Sequence, residues 1–105
     1  MKIKLLTDDL LTRTRLESAW RQAGAGILKP RDEAVPDLVV VDLTAREALA
    51  HIERLHAAHP TLEIVAFGPH VAAEALQAAR AAGASAVVTR GKVLERVRAR
   101  IAPAG

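Results

Sequence analysis

The sequence predicts an α/β protein: a five-stranded parallel sheet with helices wound over both faces. Three observations carry that expectation. Along the 105 residues, short apolar runs alternate with segments of helical periodicity. The run Leu38-Val39-Val40-Val41 is unbroken and mostly β-branched, as in a strand covered on both faces. It closes in acid at Asp42, and the first apolar run likewise closes in Thr7-Asp8-Asp9.

The first strand is expected over 3–7. A helix over 10–23 follows, with Asp8 or Asp9 placed to accept from its free N-terminal amides. Leu16, Ala19, Trp20 and Ala23 make its inward face, and Gly24 is placed to end it. A weak second strand lies near 25–29. The stretch 30–36 is short and bounded by Pro30 and Pro36, so the helix due there is reduced or absent. After the strand over 38–42, Thr44-Ala45-Arg46-Glu47 has the form of a capping box. The helix it opens would turn Ala48, Leu49, Ile52 and Leu55 to the sheet, with Pro60 beyond its end.

The fourth strand is expected over 63–67. Gly68-Pro69 then turns into an alanine-rich helix, proline being favoured in a first helical turn, and that helix ends near Gly83. The last strand covers 86–89 and the last helix about 93–101, where Val93, Leu94, Val97 and Ile101 form one stripe. Right-handed crossovers place helices on both sides of the sheet. The result is a flavodoxin-like three-layer sandwich with strand order 2-1-3-4-5, one domain over 1–105.

Composition narrows the function. No apolar run approaches the roughly 20 residues of a membrane span, and Asp8 and Asp9 follow Met1 too soon for a signal peptide. Without cysteine there is no disulfide and no thiolate metal site, which fits a cytoplasmic protein. Net charge is +3, gathered in Arg13, Arg15 and Arg21 of the first helix and in Arg90, Lys92, Arg96, Arg98 and Arg100 near the C-terminus. That basic surface reads as a solvated helix face. Nucleic-acid binding through it is the rival reading, with no aromatic side chain there to stack on bases.

Nothing in the chain resembles a phosphate-binding glycine loop, a nucleophile elbow or a dinucleotide fingerprint, so no enzymatic activity is expected. His51 and His56 are five residues apart, not the four of a two-histidine zinc helix, and His59 falls in a loop. His70 follows the fourth strand at the same edge as Asp42. It is a weak candidate metal ligand against the commoner reading of a surface histidine. Asp8, Asp9 and Asp42 each have two readings: a cap for a helix N-terminus, or part of a cation or phosphate-accepting site at the carboxyl edge of the sheet.

The acid pair after the first strand, the Pro36-Asp37-Leu38-Val39-Val40-Val41-Asp42 run and the Ala81-Ala82-Gly83-Ala84-Ser85-Ala86-Val87-Val88 ending resemble response-regulator receiver domains over nearly the whole chain. The resemblance implies Mg²⁺ at Asp8 and Asp9 and phosphoryl acceptance at Asp42; beyond Mg²⁺ no cofactor is expected. Carboxylates gathered this way repel unless a cation neutralises them, and phosphoryl transfer needs metal and lysine against developing charge. The family's switch hydroxyl falls on Gly68, its aromatic on Val87 and its lysine on Arg90, followed by Gly91 instead of proline. Lys92 substitutes only if the loop shifts.

The acceptor is thus retained while the parts that transmit phosphorylation are lost, a pattern that resembles a pseudo-receiver. Arg90 is expected to pair with Asp42 and neutralise the edge. Residues 102–105 alone follow the last helix, which predicts a stand-alone module. The expected function is regulation or scaffolding through an unidentified protein partner, without phosphorylation. A homodimer is expected through the helix after strand four, strand five and the last helix, using the stripe Ala72, Ala75, Ala79 and Ala82. The rivals are a phospho-accepting receiver working through Asp42, and a nucleic-acid binder.

Overall fold

The computed structural model describes residues 1–69 and 73–101. Its elements run β1 (Lys2–Leu6), α1 (Leu10–Gln22), β2 (Gly26–Ile27), β3 (Leu38–Asp42), α2 (Ala48–Ala58), β4 (Glu63–Gly68), α3 (Ala73–Ala82), β5 (Ala86–Thr89) and α4 (Arg90–Ile101). All strand pairs are parallel, in the order β2-β1-β3-β4-β5. This is the flavodoxin-like arrangement the alternation predicts.

Two apolar layers hold the sheet. On one face, Leu16 and Trp20 of α1 and Val93 and Val97 of α4 pack on Ile3, Leu5, Leu38, Val40, Val65 and Phe67. On the other, Ala48 and Ile52 of α2 and Ala79 and Ala82 of α3 pack on Val39, Val41, Ile64 and Ala66. Every β3 residue is buried, because helices cover both of its faces. The Trp20 indole N–H donates to the Leu94 carbonyl at 3.2 Å and ties α1 to α4.

Both glycine stops behave as expected. Gly24 (φ +105°) and Gly83 (φ +122°) take the left-handed conformation after α1 and α3. In each case the next amide reaches back five residues, Ala25 to the Trp20 carbonyl and Ala84 to the Ala79 carbonyl, both at 3.0 Å. Carbonyls left free by the helix end are satisfied that way.

Several expectations need correction. The second strand shrinks to two residues, and residues 28–37 cross to β3 with no helix, so the missing helix is real. Thr44 opens no capping box: Glu47 stands before α2 at φ +57°, without a side-chain cap, and the Thr44 hydroxyl goes to Asp42 instead. Leu49 does not face the sheet but is 40% exposed, because α2 turns only Ala48 and Ile52 fully inward. Arg90 already begins α4, three residues earlier than expected. Ala79 and Ala82 lie in the core, so the alanine stripe is not a surface; Ala75 is exposed and Ala72 lies outside the described residues. Pro69 sits in a bend before α3, and His70 also lies outside the described residues. Among the described residues no helix is long and apolar enough to cross a membrane.

Candidate functional site

Parallel strands bring their carboxyl ends to one edge, and the register sets Asp42 beside Phe67 and Gly68 beside Thr89. Asp42 ends β3 almost fully buried, at 1% exposure. A carboxylate there requires partners for its oxygens, and two threonines supply them. The Thr7 hydroxyl donates to Oδ2 at 2.7 Å. On the other side, Oδ1 accepts from the Thr44 amide at 2.9 Å and the Thr44 hydroxyl at 2.7 Å. The Asp42-Leu43-Thr44 turn thereby folds back on its own first residue.

Asp9 is the N-cap of α1. Its Oδ1 accepts from the Leu11 amide at 3.0 Å and the Thr12 amide at 3.4 Å, and its Oδ2 from the Thr12 hydroxyl at 2.8 Å. The bonds from the Thr12 side chain and amide hold the Asp9 carboxyl below its ordinary value against desolvation, with smaller help from the Leu11 amide and the Arg90 charge. The Asp9 amide in turn donates to Thr7 Oγ1 at 3.2 Å, which leaves the hydroxyl proton for Asp42. Asp8 is exposed and accepts the Arg46 amide at 2.8 Å, pinning the turn over 43–47 to the end of β1.

Arg90 reaches across this edge. Its Nη1 lies 3.7 Å from Asp9 Oδ2 and its Nη2 3.7 Å from Asp42 Oδ2, while its buried Nε has no hydrogen-bond partner. The guanidinium therefore lies within ion-pair distance of both carboxylates, without a hydrogen bond to either. Helix α4 starting directly at Arg90 is what aims it there.

Of the residues the sequence singled out, the structure brings Asp9, Asp42 and Arg90 together. Asp8 faces the neighbouring turn. Lys92 is exposed beside Val88, Glu95 and Arg96, and among the described residues it pairs with neither Asp9 nor Asp42. Gly68 is buried at the edge with no hydroxyl to offer, and Val87 packs half-buried against the α2–α3 layer. Sequence reasoning missed the roles of Thr7 and Thr44. Asp-x-Thr is a signature of a side-chain turn, so that signal was present at Asp42. Arg13 was also missed: it donates to the Leu5 and Thr7 carbonyls at 3.1 and 3.2 Å and braces the end of β1.

This fold is the receiver-like one, shared with solved response regulators. A two-component response regulator from Clostridium difficile superposes with a TM-score of 0.84 at 14% identity, over 96% of this chain and 92% of that one. A response regulator from Thermotoga maritima gives 0.78 at 19% identity, over 95% and 96%. A putative pilus assembly-related protein from Burkholderia pseudomallei gives 0.73 at 18%, over 99% and 92%. At these identities the likeness is one of fold. No family model matches the sequence, and no curated protein matches it.

Such folds imply Mg²⁺ at the acidic edge, and the residues present do not fit it. A hard cation takes free carboxylate oxygens. Here both oxygens of Asp9 and both of Asp42 already accept hydrogen bonds, Asp8 turns its Oδ2 to the Arg46 amide, and the Arg90 guanidinium lies 3.7 Å from both Asp9 and Asp42. Among the described residues no three His, Cys, Asp or Glu side chains converge to hold a metal.

Proposed function

We propose that this chain is a non-catalytic pseudo-receiver, a regulatory or scaffolding module that acts through a protein partner and without phosphorylation. The observation that carries this reading is the state of Asp42. Its buried carboxylate is held by Thr7 and Thr44 and faces Arg90, so no oxygen is presented to a phosphodonor. A phosphoryl acceptor needs an accessible carboxylate oxygen and cations placed to meet the charge that develops on the transferred group. Gly68 and Arg90, standing where a hydroxyl and a lysine would transmit the event, point the same way.

The partner surface in this reading is α3, β5 and α4, where half-buried Val88 and exposed Lys92, Glu95 and Arg96 border a shallow depression. A second copy of the chain is the simplest occupant of that surface. The nucleic-acid alternative is weakened by pairing of basic side chains on the last helix, Arg98 with Glu95 of the same helix at 3.4 Å and Arg100 with Glu63 of β4 at 2.7 Å.

Incubation with acetyl phosphate and Mg²⁺ tests the reading. No acid-stable, base-labile phosphoryl adduct is expected by intact mass. An adduct that Asp42→Asn abolishes would overturn it in favour of a working receiver. For the dimer, light scattering that reports a monomer at high concentration would remove the second copy as occupant.

A further inference from the structure

Parallel strands are ordinarily joined by a crossover helix, yet residues 28–37 carry β2 to β3 without one. β1 shows what this uncovers. Ile3 and Leu5 are buried in the α1–α4 layer, while Lys4 and Leu6, alternating with them, point to the other face and stay half-exposed. A strand in a parallel sheet that alternates this way has one face short of cover.

On that face Lys4 and Leu6 border a depression of about 290 Å³, walled by His51, Arg54, Leu55 and His59 of α2 and the turn after it. Its volume is at the lower end of small-ligand sites. No carboxylate side chain lines it; Asp32 and Glu33 border the adjoining depression on the far side of Lys4 and Pro30. Among the described residues neither Lys4, Arg54, His51 nor His59 joins an ion pair. Lys4 Nζ is held only by the Asp32 carbonyl at 3.3 Å, while the Asp32 carboxylate turns away to the Ala34 amide at 2.9 Å. Arg54 meets His51 at Nδ1, a contact that brings it no carboxylate, and keeps other donors free. Uncompensated donors thus rim an apolar floor made by Leu6 and Leu55.

We propose that this depression binds a small organic anion with an apolar body, whose acid group is met by Lys4 and Arg54 and whose body lies on Leu6 and Leu55. Charge-assisted bonds at a half-covered rim are stronger than those in open water, and the apolar floor gains from covering. The site lies on the sheet face that the missing helix leaves open. It does not depend on the state of Asp42.

A matched pair of fluorescent probes tests this: anilinonaphthalene sulfonate, and phenylnaphthylamine, which shares its apolar body without the anion. The sulfonate is expected to bind saturably, one per chain, at least about tenfold more tightly than the neutral probe. Backbone NMR shifts should centre on Leu6, Arg54 and Leu55. The double variant Lys4→Gln/Arg54→Gln, checked for folding by circular dichroism, should weaken the sulfonate at least about tenfold and leave the neutral probe unchanged. Arg15→Gln/Arg21→Gln, at exposed positions of α1, should change neither. Equal affinity of the two probes, no saturable binding, or shifts centred on Val88 to Arg96 would overturn the proposal, and the probe comparison on the unaltered chain holds even if a variant misfolds.

Discussion

The Thr7 hydroxyl stands 2.7 Å from Asp42 Oδ2 and joins the ends of neighbouring strands β1 and β3 inside the protein. Because Thr7 Oγ1 also accepts the Asp9 amide, its proton is committed to Asp42. Removing it leaves a buried carboxylate oxygen short of a donor. Thr7→Val should therefore cost about 1–3 kcal/mol of unfolding free energy, and Thr7→Ser much less, measured by urea denaturation. Equal losses for the two variants would place the effect in packing and not in the bond.

Arg90 is expected to stand where a metal would otherwise be drawn. Without its guanidinium, Oδ2 of Asp9 and Oδ2 of Asp42 would keep their threonine hydroxyls but lose the cation that lies within 4 Å of both. Millimolar Mg²⁺ should leave the melting temperature of the unaltered chain unchanged and raise that of Arg90→Ser. At tenfold excess over Kd such binding contributes about 1.4 kcal/mol. Stabilisation of the unaltered chain by the same Mg²⁺ would show that Arg90 does not close the site.

Asp9 predicts a pH dependence with a definite sign. Its folded-state carboxyl is held below the ordinary value, chiefly by Thr12. A depressed acid contributes stability that is fully present above the unfolded value, about 4, and is lost as pH falls through the folded one. Asp9→Asn keeps a capping side chain but removes the charge. The unaltered chain should be the more stable at neutral pH, with the difference shrinking below about pH 4 in thermal melts. A difference independent of pH would mean that the charge contributes nothing.

Two glycines should respond in opposite directions to alanine. At Gly83 the backbone is left-handed, and an added Cβ would run into the His56 ring where α2 approaches the end of α3. Gly83→Ala should cost about 1–3 kcal/mol. Gly91 lies in the first turn of α4 with open space around it, so Gly91→Ala should gain up to about 1 kcal/mol. Denaturation midpoints of the two variants on either side of the parent check both.

Much of the fold was legible along the chain. The β3 run declared a strand covered on both faces, Gly24 and Gly83 declared helix ends, and Pro30 and Pro36 left no room for a helix between them. These are local signals, set by φ/ψ preference and by the spacing of apolar residues. The edge was legible only in part. Asp9 and Asp42 could be placed near one another by strand order, but a carboxylate's partners are chosen by neighbours distant in sequence. Thr44 illustrates this: it sits where a capping box would use it, yet the buried Asp42 oxygen claims its hydroxyl first. Burial makes that bond worth more than an exposed helix cap.

The sequence by itself determined the element order, the parallel sheet, a crossover too short for a full helix and the charge gathered at the strand ends. Tertiary structure alone decided what that charge does. α4 had to begin at Arg90 for the guanidinium to reach Asp9 and Asp42 together. Likewise, only the packing of α2 on β3 brought Arg54 and Leu55 to the border of β1's open face, beside Lys4 and Leu6. Periodicity fixes which side of a strand or helix is apolar. The distance at which two charged groups from different elements meet depends on how those elements pack, and that distance sets the electrostatics.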